Sequence, residues 1–505
     1  NKLIIKGESM AKITAGDYFI FLSLPILDNT PFEVRKLNLL SSVDLTILDH
    51  CPNGYIVDNS SSGLVCACHS FLHDSHVICQ IDTLSFCLPP RYWIGAGTDN
   101  TSLLFSDSCL PSYCRDTYTS KEVFLSNLTQ QCLHGRVGTL CGECPEGQSV
   151  MLGSYNCKTC SNYGILVAVV YLVAGPLVIV FICVFNWTVS ARAINGLLLY
   201  LNIISINSDL LLRSNSFPFV VISWLNFRVG IEMCLFDGMD EFAKTILSFA
   251  FPLYLISLVV LIVMVSKCIN MHRINKLIGP RITPVLATVI LLSYTMLFDS
   301  VLKSLLFAQL CSSTDGACTP VWLLDGSLKY FSSTKHIILG CLALAILFGL
   351  LIPITLTAVI GDVFRRCISN RWYMNFLDTF HSSYRFRWGF WIGLRLVMRI
   401  VLLLLKVTVK PEVVWLVTAC FSLSLAAVQS LLKPFRHLRF DQFTHRLVDE
   451  WCSSEENGKT VANYLDISFL VNLTALFLSI SYLPDSAEVF ISLSLCVALI
   501  ELLLK

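Results

Sequence analysis

The chain has 505 residues, of which 55% are hydrophobic and 14% charged, with a mean hydropathy of +0.68 and a formal net charge of +1. Soluble domains carry about 25% charged residues, so this composition argues against an ordinary soluble protein. The near-neutral balance offers no basic patch for nucleic acid and no acidic tail for a charged partner.

The chain opens Asn1-Lys2-Leu3, without an initiator Met or a short apolar run behind a basic start, so a removed signal peptide or a longer parent chain is expected. Tyr18–Leu24 and Phe32–Leu39 mix β-branched, aromatic and alternating apolar residues between Gly16, Pro25, Asn29 and Pro31. That pattern predicts short strands joined by turns. Residues 1–48 are read as a β-rich extracellular segment, the end of a larger ectodomain, because so few residues of sheet make a poor core alone.

Residues 49–160 are read as a cysteine-rich extracellular neck. Twelve of the 22 cysteines fall at Cys51, Cys66, Cys68, Cys79, Cys87, Cys109, Cys114, Cys132, Cys141, Cys144, Cys157 and Cys160. An even number at this density predicts a disulfide framework formed in an oxidising compartment. Cys141-Gly-Glu-Cys144 and Cys157-Lys-Thr-Cys160 have a spacing that also suits zinc. The glycosylation sequons at Asn59, Asn100 and Asn127 favour a lumenal path, and with it disulfides over metal.

Residues 161–505 are read as a transmembrane domain of about nine helices, giving a multipass α-helical membrane bundle behind a small β-rich, disulfide-rich extracellular domain. Ile165–Phe185 has no charged side chain over 21 residues, about the length that crosses a 30 Å hydrocarbon layer. The further expected spans are 193–212, 245–266, 283–308, 337–360, 389–405, 413–432, 467–483 and 489–504. With the neck outside, Lys505 lies in the cytoplasm. The inside connections then hold 16 Lys and Arg and the outside ones seven, as the positive-inside rule requires. This places the chain in the plasma membrane with its N-terminal domain extracellular. In the outside connections Cys311 and Cys318 are expected to bridge each other, which leaves Cys234 either free or paired with a neck cysteine.

Gly135-Arg-Val-Gly-Thr-Leu-Cys141-Gly-Glu-Cys144, Cys157-Lys-Thr-Cys160, Asn186-Trp-Thr-Val-Ser190 and Ile194-Asn-Gly-Leu-Leu-Leu-Tyr-Leu-Asn-Ile203 stand out as motifs. So do Gly230-Ile-Glu-Met-Cys-Leu-Phe-Asp-Gly-Met-Asp240 and Val321-Trp-Leu-Leu-Asp-Gly326. Together they resemble the cysteine-rich neck and multipass C-terminal domain of large invertebrate surface proteins, of the sponge and cnidarian type, with β-helix or β-rich ectodomains. The resemblance runs from about Cys51 to about Leu483. It implies that architecture and carries no known activity.

Enzyme signatures are absent: the sequence has no H-E-x-x-H, G-x-S-x-G, P-loop or G-x-G-x-x-G. No enzymatic role, cofactor or metal is expected. Chemistry is instead expected from charge inside the apolar spans. Asp299 and Lys303, and Arg395 and Arg399, stand at i and i+4, each pair on one helical face. An ionisable group at the bilayer centre costs roughly 2.5–3.5 kcal/mol on insertion scales, so these faces are expected to turn inward. They line an ion or lipid-headgroup pathway on one reading; on the other, Asp299 and Lys303 neutralise each other structurally while Arg395 and Arg399 snorkel or join that network. Asn202, Asn207 and Asn472 are read as interhelical hydrogen-bond glue, and Glu232, Asp237, Asp240, Glu241 and Asp325 as a solvated acidic rim.

Two functions fit. One is a receptor or adhesion-like surface protein whose ectodomain binds an extracellular protein or glycan, with the lipid bilayer as its other partner. The other is an ion channel, transporter or lipid scramblase with the pathway in the bundle. Neither reading involves nucleic acid.

Overall fold

The structure is a computed structural model. It describes residues 2–6, 10–14, 37–38, 44–48, 55–60, 63–68, 77–80, 85–89, 91–96, 103–110, 112–115, 123–124, 128–160, 164–185, 188, 192–211, 234–268, 282–312, 317–367, 371–381, 390–409, 411–432, 467–477 and 494. The chain divides into two compact units, residues 1–146 with 306–336, and residues 147–305 with 337–505. This division departs from the expected one. Residues 147–160 belong with the helices, and a stretch read as a loop between spans belongs with the β unit.

The strands in chain order are β1 (Lys2–Lys6), β2 (Met10–Thr14), β3 (Leu37–Asn38), β4 (Asp44–Leu48), β5 (Tyr55–Ser60), β6 (Gly63–Cys68), β7 (Ile78–Gln80), β8 (Ser85–Cys87), β9 (Trp93–Ala96), β10 (Leu103–Ser106), β11 (Val123–Phe124), β12 (Ser149–Val150), β13 (Cys157–Lys158), β14 (Phe307–Ser312), β15 (Cys318–Trp322) and β16 (Asp325–Lys329). The first six form one sheet in the order β3-β4-β2-β1-β6-β5, so the β-rich reading of the N-terminal segment holds there. Tyr18–Leu24 lies outside the described residues, and Phe32–Leu39 contains β3.

A second sheet runs β16-β15-β14-β10-β9. It joins the neck strands β9 and β10 to a meander about two hundred residues downstream. The meander is amphipathic as a half-buried sheet requires: Phe307 and Gln309 are exposed and Ala308 and Leu310 buried. Gln131 finishes the other edge. Its Oε1 accepts from Ile94 N at 3.1 Å and its Nε2 donates to Ile94 O, so a side-chain amide stands where a further strand would pair.

The helices are α1 (Gly164–Phe185), α2 (Arg192–Leu211), α3 (Glu241–Cys268), α4 (Ile282–Leu305), α5 (Thr334–Ile346), α6 (Ile352–Cys367), α7 (Arg371–His381), α8 (Trp391–Thr408), α9 (Pro411–Leu432) and α10 (Ile467–Phe477). Four runs among the described residues are long and apolar enough to cross a membrane: Glu241–Val265, Ile282–Leu305, Thr334–Gly361 and Val413–Leu431. Shorter apolar stretches occur at Ala168–Val184 and Ile467–Phe477. The expected nine spans are therefore not supported. Helix α8 falls short on charge, since it carries Arg395, Arg399 and Lys406 within 18 residues. The expected span 489–504 lies outside the described residues apart from Ser494.

α4 is the centre of the helical unit, with 94% of its apolar window buried against 22% for that of α3. Helix α1 instead leaves large apolar side chains exposed on several sides, among them Leu166, Val169, Leu172, Val173, Leu177 and Val184. Between α5 and α6 the chain widens into a π segment, Leu347–Leu351. Pro353 has no N–H for the Gly349 carbonyl, and such single widened turns take up that lost register. The sequence has a further helix inside what was read as a cytoplasmic connection: α7 buries Phe376, Leu377 and Phe380 on one face.

Candidate functional site

In the β unit, two of the sequence motifs meet. Gly142 of the Cys141-Gly-Glu-Cys144 run lies so close to the second motif that a Cβ there would fall 2.6 Å from Asp325 Cα and 2.8 Å from Leu324 O. A Cβ at Gly326 would likewise fall 2.6 Å from Thr139 Cγ2. The two glycines permit this close approach of backbones. The loop at 138–142 is also strained. Leu140 and Cys141 both hold positive φ, 55° and 56°, a region that costs a non-glycine residue about 1 kcal/mol or more. Arg136 keeps the loop in place from within. It is 2% exposed, donates from Nε to Cys141 O at 2.7 Å and from Nη2 to Gly142 O at 3.2 Å, and lies 3.9 Å over the Tyr113 ring.

Disulfides staple this junction. Cys109 bridges Cys114 and Cys132 bridges Cys141. The sulfurs of Cys109, Cys114 and Cys141 lie within 4.8 Å of one another, so the two bridges touch. Cys311 bridges Cys318 across the directly opposed pair of β14 and β15. Cys160 bridges Cys234, so Cys234 takes a neck cysteine. Cys79, Cys144 and Cys157 are also disulfide-bonded. With Cys141, Cys144, Cys157 and Cys160 all oxidised, the two C-x2-C pairs present no thiolate to zinc.

Cys87 corrects the sequence reading, since it forms no disulfide. The β7–β8 register explains why: Cys79 stands opposite Phe86 and Cys87 opposite Ile78, so the two cysteines point to opposite faces of the sheet. Cys51 lies outside the described residues, as do Asn100 and Asn127. Cys66 and Cys68 fall on β6 and Asn59 on β5, and the side chains of these three are outside the described set.

Beside the meander, Tyr330, Phe331 and His336 pack edge-on and tilted against one another with ring centroids 4.7–5.1 Å apart. Phe331 N donates to His336 Nδ1 at 3.2 Å, which places the imidazole proton on Nε2. Burial pushes the Tyr330 phenol above its ordinary pKa.

The acidic residues are occupied structurally. Asp240 accepts from Ala243 N at 2.8 Å and caps α3. Glu241 is buried and lies 3.8 Å from Lys244. Asp325 accepts from the backbone and hydroxyl of Ser327 at 3.0 and 2.6 Å. Asp237 is exposed, and Glu232 is outside the described residues.

The helical unit gathers the intramembrane candidates on inward faces. Lys303 Nζ donates to Asp299 Oδ2 at 2.8 Å, with Asp299 buried and Lys303 partly exposed. Arg395 and Arg399 on α8 are 1% and 4% exposed. Arg395 Nη2 donates to Gln429 Oε1 on α9 at 3.1 Å, and Arg399 Nη1 to Leu291 O on α4 at 3.4 Å. α8 approaches α6 closely at Gly393, where a Cβ would fall 2.8 Å from Ala358 O, as small residues allow between membrane helices. The asparagines divide. Asn472 on α10 bonds to Ser494, whose hydroxyl also meets Tyr200 of α2 at 2.5 Å. Asn202 donates back to Leu198 O on its own helix at 2.7 Å. The side chain of Asn207 is outside the described residues. Gln429 was the component the charge pattern did not single out; the signal was a polar side chain in an otherwise apolar stretch of α9.

No known protein family matches the chain, and no curated protein or solved structure matches it.

Proposed function

We propose that this is a multipass cell-surface protein, receptor or adhesion-like, whose disulfide-stapled β unit is extracellular and binds a protein or glycan. On this reading the apolar helices anchor it in the plasma membrane, Lys505 is cytoplasmic, and Asn59, Asn100 and Asn127 carry glycans. One observation carries the proposal. The meander β14–β16 begins two residues after α4 ends and stops five residues before α5 begins, yet its strands complete the sheet of the neck. The sheet is thus covalently continuous with α4, the most enclosed of the four long apolar helices. A passive anchor has no need of that linkage.

Two measurements test it. A tag inserted between Ser312 and Cys318 should stain on intact cells, and a tag after Lys505 only after permeabilisation; the reverse pattern would sink the topology. The full chain in lipid nanodiscs, screened on glycan and ectodomain-protein arrays, should show saturable binding that is lost on reducing the disulfides. Flux of ions or labelled lipids through proteoliposomes, with no saturable ligand on the arrays, would overturn the receptor reading in favour of a conducting bundle.

A further inference from the structure

The two touching bridges of the neck differ in which sulfurs a reagent in solution can reach. Cys109, Cys114 and Cys141 are 0%, 4% and 0% exposed, whereas Cys132 is partly exposed. An external thiolate therefore meets the pair at Cys132 Sγ, and the thiolate it displaces is Cys141. Exchange proceeds when a thiolate attacks a bridge sulfur. Cys141 Sγ lies 3.6 Å from Cys114 Sγ, so its next electrophile already stands beside it.

The backbone makes the transfer a short one. Arg115 N donates to Gln131 O at 2.7 Å and Leu133 N to Tyr113 O at 2.8 Å, on either side of the opposed residues Cys114 and Cys132. That is the narrow, non-hydrogen-bonded kind of antiparallel pair, with Cα atoms about 4.5 Å apart. Cys141 thus changes partner between two neighbouring side chains. The sulfur released at the far end, Cys109 Sγ, lies 3.6 Å from the Leu140 carbonyl, which accepts from the thiol once it is protonated. Arg136, whose Nε donates to the Cys141 carbonyl at 2.7 Å, keeps a positive charge in the loop where the intermediate thiolate forms, and a nearby cation favours thiolate.

We propose that Cys132 is a thiol-exchange site for a dithiol reductant, and that the two bridges form a relay that rearranges instead of opening. One thiol of the reductant, as thiolate, attacks Cys132 Sγ; the Cys132–Cys141 bond breaks and Cys141 leaves as thiolate. Cys141 attacks Cys114 Sγ, the Cys109–Cys114 bond breaks, and Cys109 takes up the proton the reductant lost. The second thiol of the reductant, as thiolate, attacks the reductant's own sulfur in the mixed disulfide, and Cys132 leaves and is protonated. Two electrons pass: the dithiol becomes a disulfide, and the two protein bridges become one, Cys114–Cys141, with thiols at Cys109 and Cys132. Cys141 stays bridged, so the loop packed on Leu324 and Asp325 remains anchored. The turn carrying Gln131, which finishes the sheet edge at Ile94, loses a covalent tie. The inference goes beyond the receptor reading and does not depend on it.

The test uses the full-length chain in lipid nanodiscs, its resting thiols blocked with N-ethylmaleimide. It is exposed to reduced thioredoxin or dithiothreitol for graded times and quenched in acid, and the new thiols are alkylated in denaturant with an isotopic form of the reagent before digestion. Among these four cysteines the new thiols should appear at Cys109 and Cys132 in equal amounts, about tenfold over Cys114 and Cys141, a bias of about 1.4 kcal/mol. A Cys114–Cys141 peptide should grow alongside. Thiols at Cys132 and Cys141 with Cys109–Cys114 intact would mean plain reduction and overturn the relay; so would thiols at Cys109 and Cys114, or bridges that resist until the protein unfolds. Cys132→Ser supplies the Cys141 thiol without any reductant, so its free thiol should be found at Cys109, and finding it at Cys141 would refute the exchange. If Cys132→Ser does not fold, the time course on the unaltered protein decides alone.

Discussion

The phenol of Tyr254 on α3 donates to the carbonyl of Leu172 on α1 at 2.8 Å, and Leu172 is the residue whose carbonyl Pro176 leaves without its helical donor. Gly175 makes the room, since a Cβ there would fall 2.5 Å from the Tyr254 ring. Tyr254→Phe should destabilise the helical unit by about 0.6 kcal/mol, the average for hydrogen bonds between helices in a bilayer. In a Pro176→Ala background the same change should cost nothing, because an N–H returns to the carbonyl. A double-mutant cycle read by denaturation in detergent checks both arms, and equal costs in the two backgrounds would refute the linkage.

The junction of the two motifs should respond unequally to its glycines. Gly142→Ala drives a methyl into the backbone of Leu324 and Asp325 and should cost about 1–3 kcal/mol. Gly326→Ala meets the Thr139 methyl first, so adding Thr139→Ser should recover part of its loss. Thermal unfolding and surface yield would report this; a Gly142→Ala protein as stable as the parent would contradict the close approach.

Mass spectrometry of unreduced protein should find Cys160 linked to Cys234 and Cys311 linked to Cys318. Cys87 should take up an alkylating reagent without prior reduction. A Cys79–Cys87 peptide would mean that the β7–β8 register is wrong.

Asp299→Asn leaves the Lys303 ammonium without its closest anion. The Lys303 side chain is 30% exposed, so the loss should fall between the roughly 1 kcal/mol of an exposed pair and the roughly 3–5 kcal/mol of a fully buried one. Combining it with Lys303→Met should recover the folding yield. Failure of the double change to recover would show that Asp299 is needed by some other group.

What the sequence made legible is local. Apolar runs located α3, α4 and α9 to within a few residues, because a helix is written in contiguous letters. The dense cysteines marked the neck for the same reason. The meander β14–β16 was hidden because its partner β10 lies far upstream, and the alternation Phe307, Ala308, Gln309, Leu310 is too short to outweigh its setting between two spans. Helix α7 did leave a trace in the spacing of Trp372, Phe376, Leu377 and Phe380. Arg395 and Arg399 were visible as charges out of place, but the amide that faces Arg395 comes from another helix, and no spacing rule connects Arg395 with Gln429.

The second sheet also sets the terms on which this protein can be cut, grafted or inherited. A fragment ending at Cys160 would strip β10 of β14 and present a bare strand edge, the usual seed of aggregation and strand exchange. The neck therefore cannot be swapped among anchors like a bead on a string. It must travel with residues 306–336, and through them with the two helices that flank those residues, so the β unit and those helices are expected to diversify together, as one heritable block.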